Sequence, residues 1–260
     1  MFPTLFTIPF VHLKVHSYGV MVALGFFLGI SLISREAKRQ NLPVDKILDL
    51  CFYIIVTAII GSRIFYIVVE EPQLLNQPLE WFKIWEGGLV FYGGFIAALL
   101  TGFWYLRKHH LDFLKIGDIF VTGLALGHGL GRLGCFFAGC CFGRPAPHFP
   151  FAITFPHSEE GIAPVGIPLY PTQLMEAGAD FLIFAFLLWR LRKKQFDGQI
   201  MLLYLILYSI VRSSIEVFRG DISRGFIWNE TVSVAQGLSL VWIIIALILW
   251  GKLSKRPLIK

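Results

Sequence analysis

Seven runs of apolar residues dominate this chain, and all but the fourth, which is too long for a simple upright span, are close to the roughly 20 residues that a helix needs to cross the hydrocarbon core of a bilayer. Within a bilayer no water is available to the backbone amides, so unbroken runs of this length have one ready solution, the α-helix, whose hydrogen bonds close inside the segment. The runs fall at about 17–34, 48–69, 87–106, 116–142, 171–189, 200–218 and 234–250. The fold expected is an all-α polytopic membrane protein of about seven transmembrane helices, forming a single integral membrane domain over residues 1–260. Composition agrees, since 56% of the residues are hydrophobic and only 15% are charged, a balance outside that of water-soluble domains. The stretch before residue 17 carries Pro3 and Pro9 and lacks the basic start and cleavage site of a removable signal peptide.

The basic residues set an orientation. Fifteen Lys and Arg lie in the segments 35–47, 107–115, 190–199 and 252–260, against five on the opposite side. The positive-inside rule makes the first set cytoplasmic, which puts the N-terminus outside, the C-terminus in the cytoplasm and the proline-rich loop 143–170 outward. The net charge of +6 would fit a nucleic-acid partner if it were gathered on one soluble face, but here it punctuates apolar runs, so the expected partner is the lipid bilayer and not nucleic acid. Four cysteines, two of them adjacent, make no disulfide framework. A metal site would need about four ligands, and vicinal cysteines clash with the usual zinc spacing, so Cys135, Cys140 and Cys141 are read as small packing residues, with no metal and no cofactor expected. No phosphate-binding loop or dinucleotide fingerprint is present.

Function is carried by charges inside the apolar runs. Arg132 and His128 sit four residues apart in a glycine-laden run, Gly127 to Gly143, and a helix there points both polar heads the same way. An arginine at helix-centre depth costs about 2.5–3.5 kcal/mol on insertion scales, which implies an anionic partner. Gly123, Gly127, Gly131, Cys135, Gly139 and Gly143 recur every fourth residue, the small-residue stripe that lets a neighbouring backbone or a ligand approach one face; so many glycines also predict a break in this long fourth run.

A second constellation is Arg212, Glu216 and Arg219, spaced i, i+4, i+7 on one helical face. One carboxylate cannot neutralise these two arginines together with Arg132, so a cavity with surplus positive charge is expected, suited to phosphate oxygens that match guanidinium forks. Arg63, with Tyr66 nearby, either lines the same cavity or snorkels and pairs with a loop acid. Tyr92-Gly93-Gly94 places a hydroxyl beside a close-approach backbone, or else the tyrosine is an interfacial anchor. Gln173 and Glu176 share a face early in the fifth run and are read as interhelical hydrogen-bonding groups.

Tyr18-Gly19, Gly61-Ser62-Arg63, Glu86-Gly87-Gly88 followed by Tyr92-Gly93-Gly94, Gly131-Arg132-Leu133-Gly134-Cys135, Tyr170-Pro171-Thr172-Gln173-Leu174-Met175-Glu176, and Arg212 with Glu216 and Arg219 follow one another in this order. In that combination the chain resembles the bacterial phosphatidylglycerol–prolipoprotein diacylglyceryl transferases over nearly its whole length. The resemblance implies a multi-pass enzyme of the bacterial inner membrane that moves the diacylglyceryl group of phosphatidylglycerol onto the lipobox cysteine thiol of a prolipoprotein signal peptide and releases glycerol phosphate. It also implies that Arg132 meets the phospholipid head group and that Arg212 is essential; with Arg132, the residues Arg63, Glu216 and Arg219 make up the candidate phospholipid-binding set. Well-studied members carry a histidine where this chain has Tyr92, and some carry asparagine at Cys135.

The chemistry stands by itself as well. A thiol of reference pKa about 8.5 is mostly protonated at neutral pH, so a base or a positive field must favour the thiolate. Tyr92, with a reference pKa near 10, is a poor base, and His128 is the better candidate; Arg212, His128 and Tyr92 make up the candidate catalytic set. A transporter or flippase for an anionic lipid or solute is the competing reading of the same arginines, although no internal repeat of the fourth run accompanies it.

Overall fold

A computed structural model describes residues 2–8, 13–83, 87–157, 162–220, 225–228 and 232–255. Each apolar run of the sequence contains a helix, although residues 87–90 of the third run and 139–142 of the fourth are not helical: α1 (Ser17–Arg39), α2 (Val44–Phe65), α3 (Phe91–Lys108), α4 (Phe113–Ala138), α5 (Thr172–Leu191), α6 (Gln199–Glu216) and α7 (Val234–Leu253). Among the described residues five helices are long and apolar enough to cross a membrane: α1, α2 with its π-helical extension to Glu70, α4, α6 and α7. The helices α3 and α5 fall outside that set. The chain is mostly helical rather than all-α, because three short antiparallel pairs join or flank the helices: β1 (Thr4–Ile8) with β2 (Leu13–His16), β3 (Ile153–Thr154) with β4 (Pro168–Leu169), and β5 (Phe226–Trp228) with β6 (Val232–Ser233). Glu86 and residues 158–161, which belong to a motif and a loop named above, lie outside the described residues.

The chain divides into two compact units, one made of Met1–Ile33 with Gly117–Lys260, the other of Ser34–Ile116. In the second unit α2 and α3 form a hairpin whose contact is backbone to backbone. A Cβ on Gly61 would lie 2.6 Å from the Gly93 carbonyl oxygen, and one on Gly94 would lie 2.9 Å from that of Ala58, so the Gly-Gly pair after Tyr92 serves the approach of α3 to α2. Tyr92 itself is half exposed on α3.

In the first unit the glycine stripe of α4 meets a matching pair on α1. A Cβ on Gly29 would stand 3.1 Å from the Gly123 carbonyl oxygen, and one on Gly25 would stand 3.3 Å from Gly127 Cα. The glycines within α4 therefore do not break it, and the break expected in the fourth run falls near its end, at the stripe glycine Gly139. α4 runs unbroken for 26 residues, because these positions lose side chains to close packing while keeping their helical hydrogen bonds, and the reversal comes only at Gly139, with φ 72°. Ala125, Ile183, Leu187, Leu191, Ile200 and Tyr204 bury an apolar core among α4, α5 and α6.

Asp118 fixes the start of α6. Its carboxylate accepts from the backbone N–H groups of Gly198 (2.9 Å), Ile200 (2.9 Å) and Met201 (3.0 Å), and Lys194 pairs with it at 2.9 Å. Donors that a helix leaves unpaired at its first turn are thereby satisfied by one fully buried acid on another helix. The start of α7 carries a capping box, with Ser233 Oγ accepting from Gln236 N–H and the Gln236 side chain accepting from Ser233 N–H.

Candidate active site

Three helices of the first unit point charge at one another. Arg132, two turns from the end of α4, places Nη2 2.8 Å from Oε1 of Glu176 on α5. The same oxygen lies 3.8 Å from Nε of Arg212 on α6, and Arg212 Nη1 donates to Oε2 of Glu216 one turn on, at 2.5 Å. The result is an alternating chain, Arg132, Glu176, Arg212, Glu216, in which both carboxylates are buried and both guanidiniums keep a small open edge, 17% and 15% exposed. Arg132 makes its single ion-pair contact off-axis and donates no aligned hydrogen bond among the described residues, so most of its fork is unspent. A planar fork anchored on one side and open on the other is the arrangement that receives a phosphate.

Glu176 changes the charge balance expected from sequence. The arginines face Glu176 as well as Glu216, and Asp180, fully buried one turn beyond Glu176, adds a third acid whose field acts on Arg132, Glu176, Tyr204 and Tyr208. Counted as formal charges, Arg132, Arg212 and Arg219 are matched by Glu176, Glu216 and Asp180, so the surplus of positive charge expected from sequence is not there. Glu176 read as a mere interhelical hydrogen-bonding group because its partners sit 44 residues upstream, in Arg132, and 36 downstream, in Arg212, and only the packing of α4 and α6 on α5 brings them together.

Arg219 does not continue the helical face of Arg212 and Glu216. The helix ends at Glu216, and Arg219 lies buried in the following turn, where its N–H donates to the Glu216 carbonyl and its backbone bridges Gly143. That turn, the segment after α4 and Tyr170 are stitched together: Arg144 N–H donates to the Phe218 carbonyl, Gly143 N–H to that of Tyr170, and Gly220 N–H to that of Phe142. Thr172 and Gln173, opening α5, donate to the carbonyls of Cys141 and Cys140 at 2.8 Å each. The Tyr-Pro-Thr-Gln-Leu-Met-Glu motif therefore ties the turn after α4 and aims Glu176 at Arg132 in one helical turn. Beside it, Phe149, Phe151, Ala152, Ile153, Pro171, Leu174 and Met175 line an open apolar groove of about 630 Å³.

His128 points the same way as Arg132 and is held by α6. Its Nδ1 is 2.9 Å from the Tyr204 hydroxyl, and its ring stacks on Tyr208 with centroids 4.9 Å apart. Arg63 and Tyr92 belong to the second unit. The Arg63 guanidinium donates to the carbonyls of Glu80, Trp81, Gly87 and Gly88, so its donors tether the connection from α2 to α3 instead of forming an open fork.

The family model described as prolipoprotein diacylglyceryl transferase matches residues 3–251. A phosphatidylglycerol–prolipoprotein diacylglyceryl transferase of Clostridium tetani is 36% identical over 239 residues, covering 92% of this chain and 93% of its own length. One from Clostridium perfringens is 34% identical over 92% and 91% of the two chains, and one from Legionella pneumophila (strain Corby) is 33% identical over 92% of each. These three relatives are all named as transferases, and the transporter reading finds no support in them. Several helices suited to a bilayer and a family match over nearly the whole length mark a multi-pass membrane protein, and the chain belongs to the prolipoprotein diacylglyceryl transferase family.

Proposed function

We propose that this chain transfers the diacylglyceryl group of phosphatidylglycerol to the lipobox cysteine thiol of prolipoproteins in the bacterial inner membrane. The observation that carries the reading is the open fork of Arg132, steadied by Glu176 and facing Arg212 across the same carboxylate. In the reaction the cysteine sulfur attacks the glyceryl carbon next to the phosphate, a C–S bond forms, the C–O bond breaks, and glycerol phosphate departs with the electron pair. Arg132 holds the phosphate and Arg212 meets the charge that grows on its oxygen as the bond breaks, interactions strongest in the transition state. Glu216 and Arg219 set the position of Arg212 and the turn beside it, and His128 takes the thiol proton, with Tyr204 fixing the ring. Tyr92, which the resemblance sets where well-studied members carry a histidine, completes the proposed catalytic set.

The chain acts as one membrane domain with seven crossings, the N-terminus outside and the C-terminus in the cytoplasm, which places the loop 143–170 on the side where signal peptides emerge. The test is to incubate purified protein with phosphatidylglycerol and a synthetic lipobox peptide. The peptide gains a diacylglyceryl mass, and a peptide with serine in place of its cysteine does not. A cysteine peptide left unmodified while lipid is bound would overturn the reading.

A further inference from the structure

The three cysteines that the sequence left as packing residues converge. Cys135 lies in the last turn of α4, and Cys140 and Cys141 lie in the reversal that follows; all three sulfurs are within 4.8 Å of one another. All three are free thiols. The reversal is what defeats the sequence argument against vicinal ligands. Gly139 (φ 72°) and Cys141 (φ 57°) both adopt the left-handed region, and the Cys140 N–H donates to the Cys135 carbonyl at 3.1 Å, which folds the adjacent pair back over the helix end. For a cysteine that conformation costs about 1–2 kcal/mol, and such strain persists where its surroundings enforce it. Thr172 and Gln173 enforce it here, each by a 2.8 Å hydrogen bond to the carbonyl of one of the two cysteines.

We propose that Cys135, Cys140 and Cys141 form a three-thiolate site for a single thiophilic divalent ion, with zinc as the representative, whose fourth position is open. Zinc–sulfur bonds of about 2.3 Å in tetrahedral geometry set sulfurs roughly 3.8 Å apart, so a cluster already within 4.8 Å needs shifts of no more than about 1 Å to close on an ion. No histidine or carboxylate joins the group among the described residues, and a zinc ion with three protein ligands keeps a place for an exogenous one. The electrostatics are compatible. Three thiolates around a divalent ion leave one negative charge, and the fields of Arg132 and Arg219 both act on Cys141, that of Arg132 also on Cys135. Cys135 is three residues from Arg132 on α4, so the ion site adjoins the arginine and glutamate chain.

The experiment uses the full chain, reduced and stripped of metal in mild detergent, then titrated with zinc against a chromophoric chelator and, separately, with cobalt(II). The wild type takes up a single zinc ion per chain, and cobalt shows the thiolate charge-transfer and tetrahedral ligand-field bands. Cys135→Ser, Cys140→Ser and Cys141→Ser each lower zinc affinity by at least tenfold, whereas Cys51→Ser, remote in sequence, binds as the wild type does. Bound zinc also protects three thiols from alkylation in the wild type, a readout that needs no variant to fold. Absence of zinc uptake by the wild type, or uptake that survives replacement of all three cysteines, would each overturn the proposal. None of these readouts uses the transfer reaction, so the site can fail while the proposed function stands.

Discussion

Glu176→Ala removes a carboxylate that touches arginines from two helices, Arg132 on α4 and Arg212 on α6. At 2.8 Å from Arg132 and 3.8 Å from Arg212, its gross attraction is about 6 and 4 kcal/mol at an effective dielectric of about 20. Desolvation of the buried carboxylate offsets much of that gain, and breaking one member of a buried pair typically costs 3–5 kcal/mol because the partner charge is stranded. The open edges of both guanidiniums place this case at the lower end, about 3 kcal/mol, on the order of a hundredfold in the ratio of folded to unfolded protein. Glu176→Gln keeps an acceptor but not the charge, so it loses less stability and leaves the two arginines with a stronger field for an anionic head group. The assay is a double-mutant cycle with Arg132→Gln, read as the denaturation midpoint in mild detergent. A coupling of at least about 2 kcal/mol is expected for groups in direct contact. Effects that add to within about 0.5 kcal/mol, the behaviour of independent sites, would refute the claim that Glu176 holds Arg132.

Three further outcomes follow from the same geometry. His128→Gln loses most of its turnover at pH 7 and partly recovers at pH 9, where a peptide thiol of reference pKa about 8.5 ionises unaided; wild-type turnover across that range would make His128 structural. Asp118→Ala strands the amides of Gly198, Ile200 and Met201 and costs about 3 kcal/mol, whereas Asp118→Asn costs less, and hydrogen exchange at those amides shows the loss as faster opening of the start of α6. A cysteine introduced at His157 reacts with an impermeant maleimide from outside intact cells above the wild-type background, and one at Arg192 reacts only after permeabilisation; the reverse pattern would invert the topology.

Much of this architecture is legible residue by residue, because apolar runs of bilayer length leave the backbone little choice. The start of α1 at Ser17 and that of α7 at Val234 fall where the runs begin, and its Ser-x-x-Gln cap is written in the sequence. Arg132 and Arg212 stand out for an equally local reason, since a charge inside an apolar run is costly wherever its partner lies. What could not be read locally is pairing. The stripe from Gly123 looked like a helix breaker, but Gly25 and Gly29 on α1 give it a packing role. Arg63 resembled Arg132 in setting, yet four carbonyls between residues 80 and 88 take up its donors. Cys140 and Cys141 were discounted as ligands on spacing along the chain, which does not show that the left-handed Gly139 and Cys141 bring both sulfurs to Cys135.

The central claim is that Arg132 and Arg212 act as guanidinium forks on the phosphate of a reacting lipid, and the most direct measurement follows both products at once. Purified wild-type protein is given phosphatidylglycerol and a lipobox peptide, and released glycerol phosphate is counted against thioether-linked peptide, alongside Arg132→Lys and Arg212→Lys. The account predicts equal amounts of the two products from the wild type and at least a tenfold lower rate from each lysine variant, because a point charge cannot replace a bidentate fork. Lysine variants with wild-type rates and wild-type lipid affinity would contradict it.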